Sequence, residues 1–184
     1  MPDALFRAEA SLLLVVDVQD RLWPHIANRE QVRDRCAILM KGARLIGIPA
    51  VVSEQYPKGL GPTIAELREV QPPAAPICSK TAFGCLGDAG LAKTIEDSGR
   101  RELIVCGIET HVCVIQTALE ALSRGYRVGV VADAVGSRHE DNRLLGIARM
   151  REAGAVILSS EMVLFEWMRD ATHPAFRAIS ALVK

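Results

Sequence analysis

The chain alternates between short continuous apolar runs and longer segments in which apolar residues recur every three or four positions. Runs of the first kind read as strands covered on both faces, and segments of the second kind as amphipathic helices. Residues 12–16, Leu-Leu-Leu-Val-Val, form the first run and stop at Asp17. The spacing of Val32, Cys36, Leu39, Met40, Ala43 and Ile46 predicts a helix over 29–46, closed by Gly47. A second strand is predicted over 48–53, before the proline- and glycine-rich loop EQYPKGLGPT at 54–63. A short helical piece at 64–70 and the stretch QPPAAP lead to a third strand at 77–80, which ends on Lys80. Residues 91–98 read as helix and 101–106 as a fourth strand, broken by Gly107. Val112, Ile115, Leu119 and Leu122 then fall near one face of a central helix that runs to about Ser123 and stops at Gly125. A fifth strand at 128–132 ends at Asp133, and Ser137 and Glu140 have the spacing of a capping box that opens a helix to about Ala153. A sixth strand at 155–158 and two short helices, 160–169 and 174–182, complete the pattern.

Six strands alternating with helices predict an α/β fold over residues 1–184 as one three-layer domain. The expected sheet is six-stranded, parallel and Rossmann-like, in the order 3-2-1-4-5-6. Right-handed crossovers place the strand C-termini on one edge, where ligands of such sheets bind. The pattern brings Asp17, Lys80 and the turn before the central helix to that edge. Thr110 is placed as the N-cap, which puts Cys113 in the first helical turn, where unpaired amides and the helix dipole favour thiolate over thiol.

A thiol nucleophile needs a proton acceptor and a positive potential beside it. Asp17 can take the proton and return it to a leaving amine or alcohol, Lys80 can lower the thiol pKa, and amides near Glu109–Cys113 can receive an oxyanion. These parts describe acyl transfer to water through a thioester. Each residue also has a plainer reading: a strand-end carboxylate, a loop lysine and a packed thiol.

Composition narrows the partners. Among 184 residues, 22 basic and 22 acidic side chains cancel, which implies no basic face for nucleic acid or an anionic membrane. About five apolar residues between the N-terminal MPDALFRAEA and Asp17 are too few for a signal or membrane segment. Five cysteines without framework spacing lead to an expectation of free thiols and a cytoplasmic location. A mean hydropathy of +0.18 with no net charge suggests a homo-oligomer that hides apolar surface.

Three motifs carry a family resemblance: Leu-Leu-Val-Val-Asp17-Val-Gln19-Asp, Ser-Lys80-Thr-Ala-Phe83 and Gly107-Ile-Glu-Thr-His-Val-Cys113-Val. In this order and spacing they resemble the isochorismatase-like cysteine hydrolase superfamily. The similarity extends from about Leu12 to Phe165 and includes the terminal SEMVLF. The resemblance implies an Asp–Lys–Cys triad on Asp17, Lys80 and Cys113. It further implies a cis peptide just before Glu109 and an oxyanion hole from the amides of Glu109 and Cys113. Nicotinamidases carry an Asp-x-His metal motif after the second strand. Here Ser53-Glu54-Gln55-Tyr56 stands instead, so no metal or other cofactor is expected. Isochorismatases that cleave a vinyl ether lack the cysteine, which argues against isochorismate itself as substrate. The EQYPKGLGPT segment looks more like the branch that includes small bacterial hydrolases and animal isochorismatase-domain proteins.

The leading expectation is a metal-independent hydrolase of a small amide or related C–N bond. The alternative is a catalytically idle ligand-binding or oligomeric scaffold of the same fold. Gln19, Trp23, Tyr56, Phe83 and Glu109 are the candidate substrate contacts, although Gln19 could instead hold the first loop. His111 could carry protons or be solvated, and Cys85 could act as a resolving thiol if Cys113 oxidises. The cysteines lack zinc-site spacing, and Gly42–Gly47 does not form a dinucleotide-binding loop.

Overall fold

Strand β1 (Ser11–Val16) is buried along its whole length, and its side chains alternate between two cores. Leu13 and Val15 face one side, and Leu12, Leu14 and Val16 the other. Each fully buried leucine or valine contributes about 2 kcal/mol relative to exposure, so this run places the strand at the sheet centre. In the computed structural model, which describes residues 4–184, β1 pairs in parallel with β2 (Ala50–Gln55) and β4 (Glu102–Ile108). The register sets Leu14 opposite Val51 on one side and Val105 on the other. With β3 (Ile77–Lys80), β5 (Arg127–Gly136) and β6 (Val156–Leu158), the six-stranded sheet has the order β3-β2-β1-β4-β5-β6. Met1 to Asp3, at the start of the N-terminal stretch read against a signal segment, lie outside the described residues.

Helix α1 (Arg29–Ile46) ends on Gly47 in the left-handed conformation and packs against the first core. The short α2 (Pro57–Leu60) and α3 (Ala65–Val70) lie within and after the loop that follows β2. Helices α4 (Ala89–Asp97), α5 (Ile115–Ser123) and α6 (Glu140–Glu152) supply Leu91, Ala118 and Ile147 to the second core. Helices α7 (Ser160–Met168) and α8 (Phe176–Leu182) close the first core with Leu164, Trp167 and Ile179. Within α7, Met162 and Phe165 remain exposed, so its apolar residues divide between core and surface. No helix among the described residues is long and apolar enough to cross a membrane.

Two strand ends differ from the sequence expectation. Gly107 does not break β4, which continues to Ile108. At φ +111°, a Cβ on Gly107 would lie 2.1 Å from the Val16 carbonyl oxygen, so glycine here allows β4 to approach the end of β1. The fifth strand does not stop at Asp133 but resumes after a register shift and pairs Val135 with Gly107 and Gly136 with Ile108. Asp133 leaves the ladder to accept bonds from the Ser160 amide and hydroxyl at the start of α7, both at 2.7 Å.

Candidate active site

The parallel sheet brings the ends of β1, β3 and β4 to one edge, and there the three predicted groups meet. Asp17, just past β1, has φ 51° in the left-handed region, which aspartate tolerates better than most residues. Its Oδ2 accepts from Lys80 Nζ at 2.7 Å, and both side chains are 0% exposed. The Ser53 hydroxyl donates to Asp17 Oδ1 at 2.7 Å. Lys80 Nζ also donates to Gln55 Oε1 at 2.7 Å and to the Phe83 carbonyl at 2.8 Å. Burial is the strongest single influence on Lys80 and opposes its charge, but the Asp17 carboxylate, its hydrogen bond and the neighbouring Cys113 and Cys85 together hold the ammonium above the ordinary lysine range.

Cys113 sits in a single π-helical turn, Thr110–Val114, that precedes α5 rather than in the first turn of that helix. The peptide between Ile108 and Glu109 is cis. Thr110 is not the N-cap: its hydroxyl donates to the Gly136 carbonyl at 3.0 Å, while Glu109 occupies the position before the turn. The expected resting thiolate is also corrected. Burial pushes the Cys113 thiol well above its ordinary value, the Asp17 carboxylate pushes it further, and Lys80 only partly opposes them. These surroundings favour the thiol over the thiolate at Cys113. Thr117 fixes the turn from behind, donating to the Cys113 carbonyl at 2.7 Å and accepting from the Cys85 amide at 2.9 Å.

The remaining candidates divide. The Gln19 side chain is fully buried and committed to backbone, donating to Gln55 and Gly61 carbonyls at 3.0 and 2.7 Å and accepting from the Gln55 amide at 2.7 Å. It holds the first loop, and its amide is not free to meet a substrate. Trp23 Nε1 donates to the Arg29 carbonyl at 3.3 Å and the ring lies under the Arg29 guanidinium, an anchor for the start of α1. Tyr56 and Phe83 are exposed at this edge. Tyr56 lines a cavity of about 330 Å³ together with Pro57, Ser79, Lys80 and Asp88. The Glu109 carboxylate accepts from the Arg138 amide at 3.0 Å and from its Nε at 3.1 Å. Glu109 and Arg138 line a second cavity of about 350 Å³ with Leu22 and His25. A larger one, about 680 Å³, lies among residues such as Pro49, Pro73 and Arg100 and contains none of these groups.

His111 Nδ1 lies 3.0 Å from the Ser137 hydroxyl. Ser137 is thereby diverted from the predicted capping box; His139 precedes α6 and its side chain caps nothing. Cys85 is buried, 3.6 Å from the Ser53 hydroxyl, and burial pushes its thiol up to about 11. All five cysteines are free, and no group of three potential metal ligands occurs among the described residues. Ser53 and Gln55 are the site residues that the sequence reading passed over, having considered them only for what they are not. Their signal was positional: at i and i+2 near the end of β2, they share one face of the strand beside Asp17.

The profile of the isochorismatase domain matches residues 11–162. Isochorismatase domain-containing protein 2A of Mus musculus is 40% identical over 181 residues, spanning 96% of this chain and 84% of that protein. The solved structure of a protein described as MAR1 ribonuclease from Caenorhabditis elegans has a TM-score of 0.92 at 34% identity, covering 98% of this chain and 92% of that one. The YcaC gene product of Escherichia coli, described as an octameric hydrolase of unknown specificity, has a TM-score of 0.91 at 26% identity, over 99% of this chain and 90% of that one. A fold with this strand order and a profile match across all six strands lead to one conclusion: the chain belongs to the isochorismatase-like hydrolase family.

Proposed function

We propose that this chain is a metal-independent cysteine hydrolase that cleaves a small amide or related C–N bond through a thioester on Cys113. The observation that carries the reading is the Asp17–Lys80 pair at 2.7 Å, fully buried and directly beside the Cys113 thiol. Burying two opposite charges costs solvation that their attraction only partly offsets, so such a pair is weakly explained by stability. It is well explained by proton transfer next to a nucleophile.

Asp17 takes the thiol proton as sulfur attacks the carbonyl carbon, so charge moves from carboxylate to developing oxyanion without a free thiolate at rest. The amides of Glu109 and Cys113 receive that oxyanion. Lys80 keeps Asp17 oriented, and its positive charge stabilises sulfur when it departs as thiolate. Protonated Asp17 then delivers its proton to the leaving amine. Water attacks the thioester with Asp17 as base, the acid is released, and Asp17 returns the proton to Cys113.

The octameric bacterial relative and the exposed Met162 and Phe165 support a homo-oligomeric assembly, and the same proposal takes a small molecule as substrate and the cytoplasm as setting. The test is a panel of small primary and secondary amides, read by amine release, with covalent acyl-enzyme trapped and weighed by mass spectrometry. Cys113→Ala is expected to abolish both signals while its circular dichroism matches the parent; amide turnover by that variant would overturn the mechanism. RNA belongs in the same panel because a solved relative is described as a ribonuclease. Cleavage of RNA and of no amide would overturn the substrate class.

A further inference from the structure

Lys80 is deeply buried, and its three N–H donors face Asp17 Oδ2 at 2.7 Å, Gln55 Oε1 at 2.7 Å and the Phe83 carbonyl at 2.8 Å, with the Ala82 carbonyl farther off at 3.2 Å. Gln55 is itself oriented, because its Nε2 donates to the Thr81 carbonyl at 2.8 Å, and this turns Oε1 toward the ammonium. Two residues earlier on the same face, the Ser53 hydroxyl donates to Asp17 Oδ1 at 2.7 Å. That hydroxyl in turn lies 3.6 Å from the Cys85 thiol. One strand end therefore grips both charged groups, the carboxylate through Ser53 and the ammonium through Gln55.

We infer that Ser53 and Gln55 are positioning residues that set the reactivity of Cys113 through Asp17 and Lys80, without touching the substrate. The neutrality of Gln55 is the central point. A neutral acceptor fixes the ammonium while leaving its full positive charge to the Asp17–Cys113 pair. A carboxylate in its place would still accept from the ammonium, but it would lose the bond to the Thr81 carbonyl and cancel part of that charge. The titratable groups facing this cluster are Asp17 after β1, Lys80 at the end of β3, Cys113 in the π-helical turn and Cys85 in the turn before α4. The inference rests on the proposed nucleophilic role of Cys113, so its test must separate the two.

The experiment follows alkylation of each cysteine in the full chain by a neutral electrophile, iodoacetamide, from about pH 5 to about pH 10, a range that spans an ordinary thiol pKa near 8.5. Peptide mass spectrometry reads the rates, and circular dichroism checks the fold. Gln55→Glu retains size and acceptor. It is expected to move the Cys113 profile toward alkaline pH by about one unit, a loss of about tenfold in rate near neutrality. Gln55→Met, which leaves an ammonium proton without its acceptor, should slow Cys113 without reproducing that alkaline displacement. Ser53→Ala should slow Cys113 alone, through a freed Asp17 carboxylate, while Cys78 keeps its parent rate. A merely structural role would lower thermal stability and leave the profile of Cys113 where it was, and that result in folded Gln55→Glu would overturn the inference. If the parent releases no amine from any amide and traps no acyl-enzyme on Cys113, both the nucleophile reading and this inference fall. A parent that forms the acyl-enzyme, with a Cys113 profile unmoved in the variants, defeats this inference alone.

Discussion

Two buried carboxylates lie at opposite ends of the central strand pair and show how differently one sheet can treat the same group. Glu102, at the start of β4, accepts from the Arg7 amide at 2.7 Å and the Ser11 hydroxyl at 3.4 Å. Its cations, Arg7 and Arg127, lie 3.8 and 3.3 Å away and remain partly exposed. Water continues to reach the two guanidiniums, so only the carboxylate is desolvated where the cluster ties the N-terminal segment to the sheet. Asp17, just past β1, has a wholly buried cation, a hydroxyl donor and a thiol neighbour. The first arrangement can relax if a partner is lost. The second cannot, because removing either charge leaves the other in a medium that cannot solvate it.

The largest expected effect follows directly. Lys80→Met strands the Asp17 carboxylate and should cost about 3–5 kcal/mol of stability by chemical denaturation, with Cys113 losing its reactivity toward iodoacetamide. A cost below 1 kcal/mol, of the order of an exposed ion pair, would erase the distinction between the two ends of the sheet.

The double variant Asp17→Asn with Lys80→Met sharpens the comparison. It removes both charges, so it should recover a large part of the lost stability while remaining inactive. If it were as unstable as Lys80→Met, the pair would be a structural necessity rather than a chemical one.

A third expectation concerns alkaline pH. Lys80 is held above its ordinary value because Asp17 and the neighbouring thiol groups together exceed the opposing effect of burial, and burial pushes both Cys113 and Cys85 up. Groups with raised folded-state values bind their protons more tightly folded than unfolded. Their contribution is full below the unfolded value and is lost as pH rises through the folded one. Stability should thus decline above about pH 9, where unfolded thiols ionise first and lysines follow. Cys113→Ala should make that decline shallower in denaturation curves collected across the range, and an unchanged slope would contradict the raised thiol.

The smallest effect is expected at the other end of the sheet. Glu102→Gln should cost only about 1 kcal/mol, and less in high salt, because its cations are already hydrated. Cys113 alkylation should stay at the parent rate.

The apolar runs at β1 and β4 and the helical spacing of α1 and α5 were legible because side-chain periodicity is a local property of the chain. The convergence of Asp17, Lys80 and Cys113 was legible too, since a parallel sheet places every strand C-terminus on one edge. Other features were not legible. Gln19 was read among the substrate contacts, yet its amide closes on Gln55 and Gly61, both far from it in sequence. The capping box at Ser137 was a sound local pattern, but His111 competes for the hydroxyl. The stop at Asp133 was a strand end only until α7 supplied amide and hydroxyl donors beyond it.

The sequence by itself determined which segments are strands, their parallel arrangement and the identity of the three groups at the sheet edge. Only the tertiary structure decided their charge states and the residues that hold them. Burial and the proximity of charge depend on residues dozens of positions apart, so the thiol form of Cys113 and the grip of Ser53 and Gln55 emerge once β2, β3 and the π-helical turn are packed together.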